Sequence, residues 1–171
     1  MRIARVGSAA KGETDRLLTG LAETLQAEGL RLAGIVRDPG HEAAYANGCD
    51  MRVRVLPDGP SIAITQDLGP GSDACRLDPA AIAEAVARVE AGALAGADLF
   101  ILNKFGPEEA AGRGFVPVIA RALDMGVPVL VGVGAVNGAA FDAFADGLAE
   151  TLPSDPEALA AWGREGAKAR A

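Results

Sequence analysis

The fold of this chain is decided by Val6-Gly7-Ser8-Ala9-Ala10-Lys11-Gly12-Glu13-Thr14. The apolar residues 1–6 predict a β-strand, and the pattern that begins near Thr14 predicts a helix. A glycine loop between a strand and a helix is the setting of a phosphate-binding loop, where backbone N–H groups at the helix N-terminus hold the anion. The spacing fits G-x-x-x-x-G-K-[ST] at Gly7, Gly12 and Thr14, but Glu13 stands where the motif has lysine, and the nearest cation is Lys11. A simple tight turn from strand to helix is the alternative interpretation of these glycines.

The hydrophobic pattern after this loop predicts a parallel sheet covered by helices. Leucine and alanine recur at helical spacing over residues 17–25, Gly29 ends that helix, and residues 30–36 predict a second strand. A strand, a helix and a strand in succession imply a parallel pair with a right-handed crossover. Residues 97–102 and 127–131 predict further buried strands.

The rest of the chain completes one domain and adds a terminal helix. Residues 51–56 and 61–65 predict two strands of a hairpin, because a Pro-Asp-Gly-Pro turn separates them. We therefore expect residues 1–152 to form a three-layer α/β domain with a mostly parallel sheet and a degenerate P-loop, as in P-loop NTPase-like folds. Residues 153–171 predict a C-terminal helix that opens with the capping box Ser154-Asp155-Pro156-Glu157.

The composition limits the classes of partner. The 171 residues include 16 lysines and arginines against 23 aspartates and glutamates, which gives a net charge of −7. Since binding to a nucleic-acid backbone needs a basic face, nucleic acid is not an expected partner. No apolar run is long enough to cross a membrane, no signal-peptide pattern is present, and two cysteines do not make a disulfide framework, so we expect a cytoplasmic protein without membrane contact.

Three polar loops are expected to meet at the carboxyl edge of the sheet, where open α/β folds bind ligands. They are the glycine loop, residues 67–78 and residues 103–114. Arg76 is expected to point towards the glycine loop, because it follows a Gly-Pro-Gly-Ser turn and lies two residues before a helix N-cap. Its guanidinium fork suits a tetrahedral oxyanion; a surface ion pair is the alternative. The predicted ligand-binding residues are Gly7, Ser8, Ala9, Ala10, Lys11, Gly12, Glu13, Thr14, Ser72, Arg76, Asn103, Lys104, Gly106 and Glu109.

The residues that follow the strand at 97–102 depart from those of a phosphate-hydrolysing enzyme. In such enzymes this strand ends in an acidic residue that holds magnesium, and a glutamate often follows it. Here the two positions hold Asn103 and Lys104. Together with Glu13 they predict lost or altered hydrolysis, with no catalytic and no metal-binding residue. Glu108 and Glu109 either cap the following helix or, for the buried one, hold the loop by accepting backbone N–H bonds.

No role is assigned to His41, Cys49 and Cys75. The cysteines are expected to be small buried hydrophobic residues, and His41 is expected to be solvated in its loop. A zinc site built from the three is the alternative, but neither a Cys-x-x-Cys nor a histidine-pair spacing supports it.

Three segments carry a resemblance to a known family. They are Cys49-Asp50-Met51, the stretch from Leu68 to Ser72 with Cys75 to Pro79, and Asn103-Lys104-Phe105-Gly106 through Glu109 to Gly112-Arg113-Gly114. Over roughly residues 3–152 the chain resembles a bacterial domain-of-unknown-function family that is often encoded near molybdenum-uptake genes. That family resembles the small nucleoside triphosphatases of thermophiles, whose corresponding strand ends in Asp-Glu-x-Gly. The resemblance implies a P-loop NTPase-like fold and a link to molybdenum metabolism.

Three functional hypotheses follow. The first is a binding protein for a small oxyanion such as molybdate or tungstate, or for a nucleotide phosphate, without efficient hydrolysis. The second is a slow nucleoside triphosphatase, in which Lys11 or Lys104 replaces the missing lysine and Glu109 binds metal or water. The third is a structural partner in a molybdenum-handling complex with a vestigial pocket. The expected partners are a small anionic ligand and a protein of the molybdenum pathway, and a homo-oligomer stays open.

Overall fold

The structure, a computed structural model, describes residues 1–42, 50–66, 68, 76–92 and 94–170. Its strands are β1 (Ile3–Val6), β2 (Leu32–Arg37), β3 (Arg52–Val55), β4 (Ser61–Ala63), β5 (Leu99–Leu102), β6 (Val129–Gly132) and β7 (Glu150–Thr151). Its helices are α1 (Glu13–Ala27), α2 (Pro79–Ala91), α3 (Pro107–Ala110), α4 (Val116–Asp124), α5 (Gly138–Phe144) and α6 (Pro156–Lys168).

The strands of the described residues form one mostly parallel sheet in the order β4-β3-β2-β5-β6-β1-β7. Every pair from β2 to β7 along this order is parallel, whereas β3 is antiparallel to both of its neighbours. The register places Val6 opposite Gly132 and Ile35 opposite Leu102, so β1, β2, β5 and β6 end along one edge. The expected parallel sheet and the expected hairpin at residues 52–63 are both confirmed.

Helices cover both faces of the sheet. On one face, α1 and α6 bury Leu18, Leu25 and Leu159 against Ile101 and Leu130. On the other face, α2, α4 and α5 pack over a second cluster. Its largest members include Phe100, Phe105, Phe115, Ile119 and Phe141. These three layers confirm the predicted α/β architecture, and α6 belongs to the same core as α1.

Gly34 allows the backbones of β2 and β5 to approach each other. Its φ is +108°, and a Cβ at this position would lie 2.0 Å from the carbonyl oxygen of Ile101. Only glycine meets both requirements without moving one of the strands. The β2–β5 pair therefore stays close up to its carboxyl ends, where the predicted loop of residues 103–114 begins.

The structure differs from the sequence prediction at short elements. The pattern does not predict β7 or α3, because two and four residues carry no periodicity. The predicted capping box at Ser154 is wrong. Asp155 is the N-cap of α6, and its carboxylate accepts from Ala158 N at 2.8 Å. The Ser154 hydroxyl instead donates to the Gly7 carbonyl at 3.0 Å. Within the described ranges no helix is long and apolar enough to cross a membrane.

Asp98 predicts an acid-sensitive contribution to stability. Hydrogen bonds from the Arg31 side chain lower the pKa of Asp98 below its usual range; Arg31 Nη2 donates at 2.7 Å and the Arg31 backbone N–H at 2.8 Å. A carboxylate whose pKa is lowered by folding stabilises the folded state at pH values above its unfolded pKa of about 3.9. This contribution is lost as the pH falls through the lower pKa of the folded state. We expect Asp98→Asn to cost about 1 kcal/mol at neutral pH, the upper end for pairs with one exposed partner.

Urea unfolding between acidic and neutral pH checks this. The wild-type protein should lose more stability on acidification than Asp98→Asn does, whereas the exposed hairpin-turn variant Asp58→Asn should follow wild type. Parallel pH curves for wild type and Asp98→Asn would contradict the assignment.

Candidate functional site

The glycine loop from Gly7 to Thr14 joins β1 to α1 at the carboxyl edge of the sheet. Gly12 has φ +76° and is the N-cap of α1, a left-handed conformation that glycine adopts without strain. A Cβ on Gly7 would lie 2.2 Å from the carbonyl oxygen of Val133. The backbone therefore requires glycine at both positions of the motif. This requirement is compatible with a simple tight turn and with a phosphate-binding loop.

Side chains of the loop satisfy part of its own backbone. The Ser8 N–H donates to Thr14 Oγ1 at 3.0 Å, and the Ala10 N–H donates to Ser8 Oγ at 3.2 Å. The Ser8 hydroxyl in turn donates to the Glu13 carboxylate, and the Glu13 N–H donates to the Ala10 carbonyl at 3.2 Å. Glu13 thus places a carboxylate inside the loop, and an anion bound at these N–H groups has to displace contacts that already exist.

A hydrogen-bonded cluster of three residues lies beside the loop. Asn103 Nδ2 donates to Asp15 Oδ1 at 2.9 Å, and the Arg37 backbone N–H donates to Asn103 Oδ1 at 3.1 Å. Arg37 Nη1 completes the cluster with an ion pair to Asp15 Oδ2 at 3.1 Å. Asn103 is 9% exposed, and its amide is used to connect α1, β2 and β5. Sequence reasoning missed Asp15 and Arg37 as site residues; their positions, in the first turn of α1 and at the end of β2, were the available signal.

A polar cavity of about 480 Å³ opens between the first turns of α1 and the residues after β2. Its wall includes Lys11, Gly12, Asp15, Arg16, Glu23, Arg37, Asp38 and His41. In the described part of the chain, the side chains of Lys11 and Arg16 have no hydrogen-bonding or ionic partner. Lys11 and Gly12 bring the glycine loop to this cavity, which we call the polar cavity.

An apolar cavity of about 260 Å³ lies on the other side of the Asp15–Arg37 pair, against α2. Its apolar wall includes Ile35, Val53, Ile64, Leu77, Ile82, Ala85, Leu102 and Phe115. Its polar wall is formed by Asp15, Arg37, Arg52, Asn103, Lys104 and Glu109, and Gly106 also borders it. The predicted residues Asn103, Lys104, Gly106 and Glu109 therefore come together here, whereas Lys11 and Gly12 come together at the polar cavity.

Glu109 holds the loop between α3 and α4. Its carboxylate accepts from the Gly106 N–H at 2.9 Å and from the Phe115 N–H at 3.0 Å, and the residue is only 7% exposed. The buried glutamate therefore fulfils both alternatives, because Gly106 is the N-cap of α3 and Phe115 is the N-cap of α4: Glu109 caps helices and holds the loop by accepting backbone N–H bonds. Glu108 instead forms an ion pair with Arg113, at 2.9 Å from Nε to Oε2.

A protein-family model matches most of the chain. Residues 3–162 match the model of the family described as "Protein of unknown function (DUF2478)". The chain belongs to the DUF2478 family. This confirms the resemblance that the segments around residues 103–114 carry.

The DUF2478 chain is also similar to one curated protein that bears a functional name. It is 34% identical over 166 residues to "Molybdenum import ATP-binding protein ModC 2" of Bradyrhizobium diazoefficiens. This match covers 96% of the chain but 18% of the relative, so the chain spans about a fifth of that protein's length.

The fold is shared with a solved structure. The solution structure of a human cancer-related nucleoside triphosphatase superposes with a TM-score of 0.59 at 14% sequence identity, over 99% of this chain and 97% of the other. At this identity the likeness concerns the fold, and it confirms the predicted P-loop NTPase-like architecture.

The described residues place the Arg76 backbone beside the end of the hairpin. The Arg76 carbonyl accepts from Gln66 N at 2.8 Å, and Leu77 forms an isolated bridge to Thr65. Leu77 also borders the apolar cavity, together with Asp15 and Asn103. The expected orientation of the Arg76 side chain towards the glycine loop stays a prediction. Ser72 lies outside the described residues.

The remaining polar candidates do not form a metal site in the described residues. His41 Nε2 lies 3.0 Å from Asp50 Oδ2, and both side chains are about three-quarters buried, so His41 is not solvated as expected. Cys49 and Cys75 lie outside the described residues. Among the residues that the structure describes, no group of three or more His, Cys, Asp and Glu side chains could hold a metal ion.

Proposed function

We infer that this DUF2478 chain binds a small oxyanion or the phosphate of a nucleotide at the glycine loop, without efficient hydrolysis. The observation that carries this inference is the placement of the glycine loop. It leads into the N-terminus of α1 and borders a polar cavity in which Lys11 and Arg16 have no partner in the described part of the chain. A helix N-terminus and unpaired cations favour an anion.

The charges around the polar cavity support an anionic ligand. The Asp15 carboxylate already accepts from Asn103 and Arg37, and Asp38 accepts from the Ser61 hydroxyl and the Gly40 N–H. Glu23 lies two helical turns beyond Arg16 along α1. Apart from the Glu13 carboxylate within the loop itself, the charged side chains nearest the glycine loop that remain available are therefore donors, which match the oxygens of an oxyanion.

The Bradyrhizobium relative supports molybdate or tungstate as the oxyanion. Its name joins molybdenum import with ATP binding, and it matches nearly the whole DUF2478 chain. Molybdate and phosphate are both tetrahedral oxyanions, so one loop of N–H groups and cations suits either. A nucleotide and a free oxyanion are therefore the two ligands to compare.

Calorimetric titration with molybdate, tungstate, sulfate, phosphate and ATP tests the inference. Lys11→Gln and Arg16→Gln should each lower the affinity for the ligand that binds roughly tenfold, which is the scale of one hydrogen bond to a charged group. Arg121→Gln removes an equal charge from the exposed side of α4 and should change nothing. Absence of binding by every ligand of the panel would overturn the inference and favour a structural role in a larger assembly. Equal losses in all three variants would mean that only net charge matters.

A second prediction concerns hydrolysis. Phosphate release from ATP or GTP with magnesium should stay far below about 1 per second, the low end for competent enzymes. The reason is that Glu13 replaces the motif lysine, and Asn103 and Lys104 replace the acidic pair that would stabilise charge and orient water. Turnover near 1 per second that Asn103→Ala abolishes would contradict it and establish a triphosphatase.

A further inference from the structure

The apolar cavity is large enough for a ligand of its own. Its volume is about 260 Å³, compared with about 150 Å³ for an engineered apolar cavity that binds benzene. Residues from six helices and strands and from the loops that follow them form its wall, among them Ile35, Val53, Ile82 and Phe115. Lys104 and Pro107 border the cavity and are exposed to solvent, which gives a path of entry.

One charged side chain that borders this cavity has no hydrogen-bonding or ionic partner in the described residues. Both oxygens of Glu109 accept backbone N–H groups, and both oxygens of Asp15 accept side-chain donors. Arg52 donates to Ser61 through Nε and Nη2. Lys104 has no partner in the described residues. The cavity thus has an apolar wall that suits the apolar part of a ligand. The Lys104 ammonium group at its rim is available to an acceptor group of the same ligand.

We propose that the apolar cavity is a second binding site, for a small organic anion with a flat or branched apolar body and one carboxylate or other oxyanion group. The body lies against Ile82, Phe115 and Val53, and the anionic group pairs with Lys104. Ligand sites commonly combine a largely apolar wall with a few convergent polar groups. Lys11 and Gly12 do not border this cavity, so the site is distinct from the one inferred at the glycine loop.

2-Naphthoate is a suitable probe because it has two fused rings and one carboxylate. With about thirteen non-hydrogen atoms, the usual ligand efficiency corresponds to a dissociation constant near 1 mM. Amide chemical shifts in ¹H–¹⁵N NMR titrations give both the affinity and the location. We expect saturable shifts at Ile82 and Ala85 of α2, and at Lys104 and Phe115. Acetate lacks the apolar body and 2-naphthamide lacks the charge, so both should bind at least fivefold more weakly.

Two kinds of variant separate the apolar and the charged contacts. Ile82→Phe fills the cavity and should weaken 2-naphthoate at least tenfold, and Ala85→Leu serves the same purpose if Ile82→Phe does not fold. Val136→Phe adds similar bulk at a residue that is 95% exposed and should have no effect. Lys104→Gln should weaken 2-naphthoate about fivefold without changing 2-naphthamide, whereas Lys168→Gln should change neither.

Three results would overturn the proposal. They are no saturable 2-naphthoate binding by the folded wild-type protein, unchanged affinity in the cavity-filled variant, or shifts confined to residues outside α2 and the 104–115 loop. Lys11→Gln should leave 2-naphthoate binding intact, so a failure at the glycine loop and a failure at this cavity are distinguishable.

Discussion

Replacing Glu109 with alanine is expected to lower the free energy of unfolding by about 3 kcal/mol, since an unsatisfied buried N–H group costs about 1–3 kcal/mol. The side chain is 7% exposed, and its two oxygens accept the N–H groups of Gly106 and Phe115 at 2.9 and 3.0 Å. Water is a poor replacement for these acceptors, because Gly106 and Phe115 are both buried.

Chemical denaturation of three variants checks this prediction. Glu109→Gln retains one acceptor and should fall between wild type and Glu109→Ala. Glu108→Ala removes a carboxylate of the same helix that pairs only with the exposed Arg113, and it should cost less than about 1 kcal/mol. A Glu109→Ala protein as stable as Glu108→Ala would mean that the carboxylate is not the support of this loop.

Glu13→Lys is expected to strengthen ATP binding ten- to hundredfold. The change removes a carboxylate that accepts from Ser8 within the loop and puts a cation at the lysine position of the motif. One hydrogen bond to a charged group is worth roughly 1.5–3 kcal/mol, which is about ten- to hundredfold in affinity. The N–H groups of the loop then face a phosphate without a competing negative charge.

Calorimetry with ATP on a set of charge variants separates the causes. Glu13→Gln removes only the repulsion and should give an intermediate affinity. Glu23→Lys makes the same charge change farther along α1 and should improve ATP binding by no more than a few-fold, because exposed charges are screened over about a Debye length. Equal or weaker binding by Glu13→Lys would show that the loop does not approach phosphate.

Much of the fold could be predicted because it depends on local patterns. The apolar runs at residues 97–102 and 127–131, Gly29 at the end of α1 and the Pro-Asp-Gly-Pro hairpin turn each act within a few residues. The glycine spacing correctly places the loop between β1 and α1. The order of strands is not local, because it depends on contacts between segments that are far apart in the sequence, such as β1 beside β6 and β2 beside β5.

The site itself was predicted less well, because its contacts cross the sequence. Asn103 was chosen for its position after β5, but the structure shows that its amide joins Asp15 and Arg37, 88 and 66 residues away. Periodicity and motif spacing carry no information on such partners. The division between a polar and an apolar cavity likewise depends on how α2 covers the hairpin, which the residues of either element do not specify alone.

The Asp15–Arg37 ion pair borders both cavities, and this shared wall ties their occupants together. An anion that draws Arg37 towards one cavity takes a donor from the other and loosens the carboxylate that holds Asn103. Two ligands bound at the two proposed sites would then oppose each other, and thermodynamic reciprocity would require that each weakens the other by the same factor. With both sites occupied, the response to either ligand would depend on the concentration of both.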